Sequence, residues 1–111
     1  MSSPIHADDP TSFDAEVLRA DLPVVVDFWA ARCGPCRIVT PEVEALATEH
    51  AEKRKVVKVD VDANPSVAAR YGVMGIPTIG LFRDGELVAT SVGAKPRRLI
   101  ETELGLAGVT S

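Results

Sequence analysis

A nearly continuous apolar run, from Val24 to Trp29, stands a few residues before the segment Cys33-Gly34-Pro35-Cys36. Such a run is typical of a strand that is covered on both faces, as in a parallel sheet. The cysteine segment then opens a helical pattern that continues to about His50, and Pro41 is expected to kink it. The chain is therefore expected to pass from a buried strand into a long amphipathic helix, with both cysteines at the start of that helix.

Helices are predicted wherever apolar residues recur at helical spacing. The expected helices run over Thr11 to Leu18, Gly34 to about His50, Asn64 to Tyr71, and Pro96 to Leu104. Thr11 and Asp14 give the first of them a cap-like start. The last is expected to turn three residues inward, Leu99, Ile100 and Leu104. Beyond it, Gly105 to Ser111 is expected to fray.

Four strands are predicted, over Val24 to Ala30, Val56 to Val61, Thr78 to Phe82, and Leu87 to Val92. A helix connects the first two, so they should lie parallel. Asp84-Gly85 predicts a tight turn between the last two, which should therefore pair in antiparallel fashion. Strands and helices alternating in this way predict an α/β fold.

Residues 1–111 are expected to form one domain, because 46% apolar content suffices for one core without metal or disulfide staples. The 12 basic and 16 acidic residues give a net charge of −4, and nothing in this balance favours nucleic acid. The clusters Lys53-Arg54-Lys55 and Lys95 to Arg98 are interpreted as solvated ends of elements. No signal peptide or membrane span is expected, and two cysteines suit a reducing compartment, here the cytoplasm.

Cys33 is expected to cap the long helix. There its sulfur can accept the free N–H groups and meet the positive end of the helix dipole, both of which favour a thiolate. Pro35 has no N–H, so the N–H of Cys36 is the nearest donor, and Gly34 lets the backbone bend. The cap is therefore expected to lower the pKa of the thiol below its usual value of ~8.5, which raises the fraction of reactive thiolate at neutral pH. The pair is therefore interpreted as redox-active.

Three other interpretations of the cysteine pair compete with this one. A zinc site needs about four ligands, whereas the chain offers two cysteines and two distant histidines, His6 and His50. A structural disulfide would close a loop too short to stabilise much. Chance spacing is the third interpretation, and the surrounding sequence argues against it.

Six separated motifs occur in a characteristic order and spacing. They are Val26-Asp27-Phe28-Trp29-Ala30, Cys33-Gly34-Pro35-Cys36, Pro41, Lys58-Val59-Asp60, Gly75-Ile76-Pro77-Thr78 and Val92-Gly93-Ala94. Together they resemble the thioredoxin family, from about Phe13 to Leu104. The resemblance implies the thioredoxin fold, a central mixed sheet of about five strands flanked by about four helices. It also implies that the protein reduces disulfides in client proteins without a bound cofactor, and that a separate thioredoxin reductase supplies electrons from NADPH.

The two cysteines are assigned successive steps. Cys33, expected to be the exposed member, attacks a client disulfide, and Cys36 then attacks the sulfur of Cys33 to release the client. Asp27 is the candidate to take the proton of Cys36, because a carboxylate inside the apolar strand should be desolvated, with a raised pKa. The alternative is a polar residue at a strand end. Lys58, on the neighbouring strand, either pairs with Asp27 or is merely exposed.

Client binding is assigned to the surroundings of the cysteines, including Gly34 and Pro35 between them. The resemblance implies a cis peptide before Pro77, and the backbone of Ile76 would accept an extended client strand. An ordinary loop proline is the alternative. The apolar client surface would consist of Trp29, Ile76, Gly93 and Ala94, with plain core packing equally open for Trp29.

Arg32 departs from the family, in which a second tryptophan usually precedes the first cysteine. A positive charge ~7 Å away in a water-like dielectric would favour the Cys33 thiolate by about 0.6 kcal/mol. Reactivity should therefore survive. The expected effect is on client or reductase choice, since a cation that prefers acidic partners replaces a flat aromatic contact. A neutral surface substitution is the alternative.

Other functions of the same fold remain open at this point. A binding module would keep the fold and use its surface for a redox partner, and it would tolerate loss of either cysteine. A disulfide isomerase or oxidase is the other alternative, although Gly34-Pro35 is typical of the reducing branch, where a histidine would make the pair more oxidising. Use of glutathione is disfavoured because the CxxC segment lacks a nearby tyrosine. A monomer is expected, because no apolar stripe is left over.

Overall fold

Five strands form one mixed sheet within the residues that the computed structural model describes, which are 4–49 and 51–106. The strands are β1 (Ile5–His6), β2 (Val24–Trp29), β3 (Lys55–Asp60), β4 (Thr78–Arg83) and β5 (Glu86–Val92). Their order across the sheet is β1-β3-β2-β4-β5. The pairs β1/β3 and β2/β3 are parallel, and the pairs β2/β4 and β4/β5 are antiparallel. The predicted mixed sheet is confirmed.

Helices cover both faces of this sheet. They are α1 (Pro10–Phe13), α2 (Gly34–Thr48), α3 (Pro65–Arg70) and α4 (Arg97–Glu103). The chain continues from α1 through a wider π-helical segment, Asp14–Leu18. Four predicted helices are thus present, with ends shifted by a few residues, and α2 continues through Pro41. His50, the expected end of the long helix, lies outside the described residues. So do residues 107–111 of the tail that was expected to fray. Across the described ranges, no helix is long and apolar enough to cross a membrane.

The alternation of side chains along β2 divides the core into two layers. Val24, Val26 and Phe28 pack with Phe13 and Val17 on one face. On the other face Val25 packs with the inner side of α2 and α4. Because successive strand residues point to opposite faces, Asp27 and Trp29 share the face of Val25, beneath α2. The strand therefore directs its one carboxylate toward the helix that carries the cysteines.

The turn between β4 and β5 is the predicted tight hairpin. Asp84 and Gly85 both have positive φ, 52° and 81°. Two consecutive residues with positive φ are the requirement of the type I′ turn, whose twist matches that of the paired strands. The hairpin places Val92 opposite Thr78, which brings the segment after β5 to the same end of the sheet as the start of β4.

The start of α1 differs from the prediction, in which Thr11 and Asp14 formed the cap. Asp9 is the actual N-cap, and its carboxylate accepts from the backbone N–H of Ser12 at 2.8 Å. Ser12 Oγ in turn accepts from the backbone N–H of Asp9. Pro10 occupies the first helical position, where a missing N–H costs nothing, so the helix begins one residue earlier than predicted.

Three further predictions about burial or order were wrong. Arg54, interpreted as part of a solvated cluster, is only 8% exposed and faces Glu101, with Nη2 3.6 Å from Oε2. Leu99, expected to point inward, is 42% exposed, because Ile100 and Leu104 alone form the buried stripe of this short helix. Leu106, in the tail expected to fray, packs against the core under α2. Strand β1 was also missed, since two residues give no periodic pattern.

Candidate active site

Cys33 caps α2 as predicted. Its backbone is extended, with φ −93° and ψ 110°, and its sulfur accepts from the backbone N–H of Cys36 at 3.1 Å. Pro35 lies in the first turn and has no N–H, so it leaves this position to Cys36. The first turn of the helix therefore directs a backbone dipole at one particular sulfur. A thiolate there receives both a hydrogen bond and the positive end of the helix.

The two cysteines are joined in a disulfide, with their Cα atoms 5.3 Å apart. Cys33 was expected to be the exposed member, and it is the more accessible of the two, but both are buried, at 7% and 3% exposure. They pack against Trp29, Val61 and Ile76, which cover the bond from the sides. In the oxidised state the attacking sulfur is therefore enclosed by neighbours rather than freely exposed.

The loop before β4 approaches the disulfide with its backbone. The Ile76–Pro77 peptide is cis, as the resemblance implied. The carbonyl oxygen of Ile76 lies 3.7 Å from the sulfur of Cys33. Gly93, with φ +97°, donates its N–H to the carbonyl oxygen of Pro77 at 2.8 Å, and the exposed Ala94 follows it. The structure thus places Ile76 against the cysteine pair and Gly93 against the adjoining Pro77.

Asp27 is fully buried on the α2 side of the sheet. Among the described residues, neither of its carboxylate oxygens has a hydrogen-bond partner. Burial raises the pKa of this carboxyl to about 6, and the positive charge of Lys58 offsets only part of the effect. A group with this pKa exchanges its proton within the physiological range, as the desolvation argument predicted.

Lys58 lies directly opposite Asp27 in the parallel register of β2 and β3. Its Nζ is 3.9 Å from Oδ2 of Asp27, and its side chain is only 13% exposed. The same Nζ stands 4.6 Å from the centre of the Trp29 ring. The alternative of a merely exposed lysine is therefore wrong, and the ammonium is shared between a carboxylate and an aromatic face.

Trp29 combines the two roles that the sequence left open. It is half-buried and packs against the cysteine pair, so it belongs to the surroundings of the disulfide and also to the packed interior. Its ring meets that of His6 nearly at right angles, at 75° and 6.3 Å between centres. The indole Nε1 is buried and has no hydrogen-bond partner within the described part of the chain. Packing alone therefore holds this ring.

Arg32 does not point a free charge at Cys33. Its guanidinium forms a two-pronged ion pair with Asp62, through Nε at 2.9 Å and Nη2 at 3.1 Å. The hydrogen bond to Asp62 raises the pKa of Arg32, and Asp60 adds to the effect. The predicted preference for acidic partners assumed a free cation at position 32, whereas the Asp62 carboxylate compensates that charge. Asp62 was missed because no motif of the sequence singles it out.

A shallow groove of about 370 Å³ lies beside the ion pair of Arg32 and Asp62. Arg32 and Asp62 stand on its rim, with Ile76, Val61 and the highly exposed Met74 along its apolar sides.

Across residues 4–49 and 51–106, no cluster of three or more His, Cys, Asp or Glu side chains is placed to hold a metal ion.

The comparison with known families agrees with this geometry. The family model described as thioredoxin matches residues 4–104, nearly the whole chain. The chain belongs to the thioredoxin family. A thioredoxin from Porphyra purpurea is 52% identical over 93 residues, which cover 84% of this chain and 87% of that protein. A thioredoxin from Streptomyces clavuligerus is 52% identical over 86 residues, 78% of this chain and 79% of that one.

A solved structure supports the same assignment. Malassezia sympodialis thioredoxin superposes with a TM-score of 0.82 at 34% identity, covering 93% of this chain and 92% of that one. The thioredoxin fold that the resemblance implied is thus confirmed. With its Cys33–Cys36 pair at bonding distance, this member of the thioredoxin family is a dithiol thiol-disulfide oxidoreductase, a protein-disulfide reductase. Disulfide-containing client proteins and reductase partners follow for the family in general.

Proposed function

We propose that the protein carries electrons from a thioredoxin reductase to client disulfides through Cys33 and Cys36. The observation that carries this proposal is the bond from the N–H of Cys36 to the sulfur of Cys33 at the start of α2. It marks one sulfur of the pair as the stabilised thiolate and therefore as the nucleophile. No cofactor binds to the protein itself, and NADPH is consumed at the reductase.

The exchange takes place in two steps. In the reduced protein the Cys33 thiolate attacks one sulfur of the client disulfide, forms a mixed disulfide and expels the other client sulfur as a thiolate. The Cys36 thiolate then attacks the sulfur of Cys33. This step closes the Cys33–Cys36 bond and releases the second client thiolate, so that two electrons have passed to the client. The reductase returns two electrons to the protein and reopens the bond.

Asp27 is the proposed base for the second step. It lies beneath α2, and its carboxyl, with a pKa of about 6, is mostly ionised at neutral pH and ready to accept a proton. Lys58 is the proposed regulator of that pKa, since its ammonium is the opposing charge that favours the ionised form. The low exposure of both residues supports these roles, because the interaction between them is little screened by water.

The proposed client surface surrounds the disulfide. Ile76 offers its backbone beside the sulfur of Cys33, with Pro77 fixing the turn, and Gly93, bonded to the carbonyl oxygen of Pro77, continues this surface toward Ala94. Trp29 and the segment Gly34-Pro35 complete the surface, and Arg32 stands at its edge beside Asp62. An extended client segment would lie across the Ile76 carbonyl, as in β-strand addition. We propose action as a monomer in the cytoplasm, where two cysteines suit the reducing environment.

Insulin reduction tests the proposal directly. The protein, catalytic amounts of a thioredoxin reductase and NADPH should precipitate the insulin B chain while NADPH is consumed. Replacing the reductase and NADPH with glutathione should give little turnover. Cys33→Ser should abolish the reaction. Unimpaired turnover by that variant would show that Cys33 is not the nucleophile, and absence of turnover by the parent protein would favour the binding-module alternative. Turnover with glutathione that equals turnover with the reductase would contradict the proposed electron source.

A further inference from the structure

His6 stands in one row across the sheet with the two residues that we propose to control proton transfer. In the parallel registers His6 lies opposite Lys58, and Lys58 lies opposite Asp27. Residues directly opposite each other in a sheet present their side chains on the same face. The imidazole therefore lies on the α2 side of the sheet, at its outer edge.

The position of the Lys58 ammonium depends on more than the carboxylate. Its Nζ is 3.9 Å from Asp27 Oδ2, and neither carboxylate oxygen accepts a hydrogen bond from any described residue. The same Nζ lies 4.6 Å from the centre of the Trp29 ring. With no hydrogen bond between lysine and carboxylate, the aromatic face is the second contact that places the charge.

The ring of Trp29 is itself held only by its neighbours. Its Nε1 is buried without a partner in the described part of the chain, so no hydrogen bond orients the indole. The cysteine pair packs against the ring, and the imidazole of His6 meets it nearly at right angles. Beyond β1 the sheet has no further strand in the described residues. His6 thus contacts this ring from the edge strand of the sheet.

We propose that His6 is a positioning residue for the dithiol exchange: its imidazole holds the Trp29 ring against Lys58 and so keeps the ammonium beside the Asp27 carboxylate. The proposal rests on the role given to Asp27 under the proposed function. The charged or titratable groups near this part of the sheet include Lys58 and Asp60 on β3, Asp27 on β2, Asp8 beyond β1, and the thiols of Cys33 and Cys36 on α2 once the disulfide is reduced. Of these, Lys58 contacts both Trp29 and Asp27.

The test compares His6→Ala with His6→Phe. The alanine variant removes the contact with Trp29, and we expect the ammonium to move outward toward water. The pKa of Asp27 should then rise, since less positive charge opposes burial. The acid limb of the rate of the second exchange step should shift upward by about 0.5 to 1 pH unit. The phenylalanine variant keeps an aromatic edge and should restore the native profile.

Ile5→Ala is the matched control, because Ile5 lies on the same two-residue strand with its side chain on the opposite face. It should lower stability to a similar extent without shifting the pH profile. Trp29 is the single tryptophan of the chain, so its emission reports on this site alone. His6→Ala should shift that emission to longer wavelength, and Ile5→Ala should not.

Two results would overturn the positioning role: an unchanged emission and pH profile in His6→Ala, or equal changes in Ile5→Ala. Asp27→Asn separates this role from the proposed function. If the acid limb survives in Asp27→Asn, the base assignment of Asp27 is wrong. The emission of Trp29 in His6→Ala and His6→Phe then decides alone whether His6 holds the ring.

Discussion

Lys58 and Asp27 lie side by side on neighbouring parallel strands, yet the ammonium nitrogen remains 3.9 Å from the nearer carboxylate oxygen. At that separation the two groups attract each other without a hydrogen bond. The attraction is too weak to offset the loss of hydration at the buried carboxylate, and the pKa of Asp27 rises to about 6. The pair therefore leaves Asp27 ready to take a proton, at some cost to folding.

Because the buried, ionised carboxylate of Asp27 destabilises the fold, Asp27→Asn should increase the free energy of unfolding in a pH-dependent way. The folded-state pKa is raised, so the carboxyl stabilises the fold fully below its unfolded value of 3.8 and loses this contribution as pH rises through about 6. The shift corresponds to about 3 kcal/mol at pH 8. We expect the variant to be more stable than the parent by about that amount at pH 8, and by little at pH 3.5.

Urea unfolding of the oxidised proteins at these two pH values measures the difference. Glu86→Gln, at an exposed carboxylate on β5, is the control and should show no such pH dependence. A constant difference between Asp27→Asn and the parent at both pH values would contradict the raised pKa.

Cys36→Ser should trap the client. The first step needs only the Cys33 thiolate, whereas release of the client needs a second sulfur. A client disulfide incubated with the reduced variant should therefore accumulate as a mixed disulfide on Cys33, visible as an added mass that a reducing agent removes. Cys33→Ser, treated in the same way, should show far less adduct. Similar adduct levels in both variants would mean that the assignment of nucleophile and resolving cysteine is wrong.

The Arg32–Asp62 pair predicts a small, salt-sensitive coupling. Both side chains are more than half exposed, so the two-pronged geometry should contribute at most about 1 kcal/mol, and less at high salt. A double-mutant cycle of Arg32→Ala and Asp62→Ala, measured by urea unfolding at low and high salt, gives this value. Coupling that persists unchanged at 1 M salt, about a 3 Å screening length, would argue against a surface ion pair.

The same pair makes Arg32→Trp the test of client choice. Replacing the ion pair with an aromatic contact should change the relative rates for several client disulfides, and it should leave the Asp62 carboxylate uncompensated. The rates of reduction of one acidic, one neutral and one basic client, measured for the variant and the parent, show whether position 32 influences client selectivity. Identical relative rates for the variant and the parent would show that position 32 plays no part in selectivity.

Glu101→Ala should destabilise the fold more than an ordinary surface substitution. Arg54 is 8% exposed, and its Nε and Nη2 lack hydrogen-bond partners in the described ranges. The carboxylate of Glu101, 3.6 Å from Nη2, compensates its charge. Removing that partner leaves an uncompensated buried charge, which costs about 3 kcal/mol. Glu52→Ala, at an exposed position, should change the unfolding free energy little. Equal effects of the two variants would contradict the importance of the buried pair.

Most of the fold was predictable because its signals are local. The apolar run of β2, the helical spacing in α2 and the Asp84-Gly85 turn each follow from a few adjacent residues. The missed features depend on contacts between distant segments. Strand β1 is two residues long and exists because β3 is beside it. Arg54 is buried because Glu101 of α4 faces it, and neither fact has a local signature.

The site shows the same division. The cap at Cys33 and the burial of Asp27 were predictable, because the apolar run of β2 and the start of the helical pattern are local signals. The partner of Lys58 was left open between Asp27 and solvent, because a helical connection does not specify the register of β2 and β3. The ion pair between Asp62 and Arg32 was not predictable, because an aspartate in a loop has no sequence feature that assigns it to a particular arginine. The contact between His6 and Trp29 also required the structure, since it depends on the pairing of an edge strand.

Helix α2 is anchored by Val39, Val43 and Leu46, one to three turns beyond the cysteines. Opening the bond between Cys33 and Cys36 removes a ring of only four residues at its tip and leaves those anchors in place. The donor and acceptor forms of the molecule can therefore share one scaffold. Each cycle of electron transfer then rearranges two sulfur atoms and their protons. The packing of the core does not have to change between one client protein and the next.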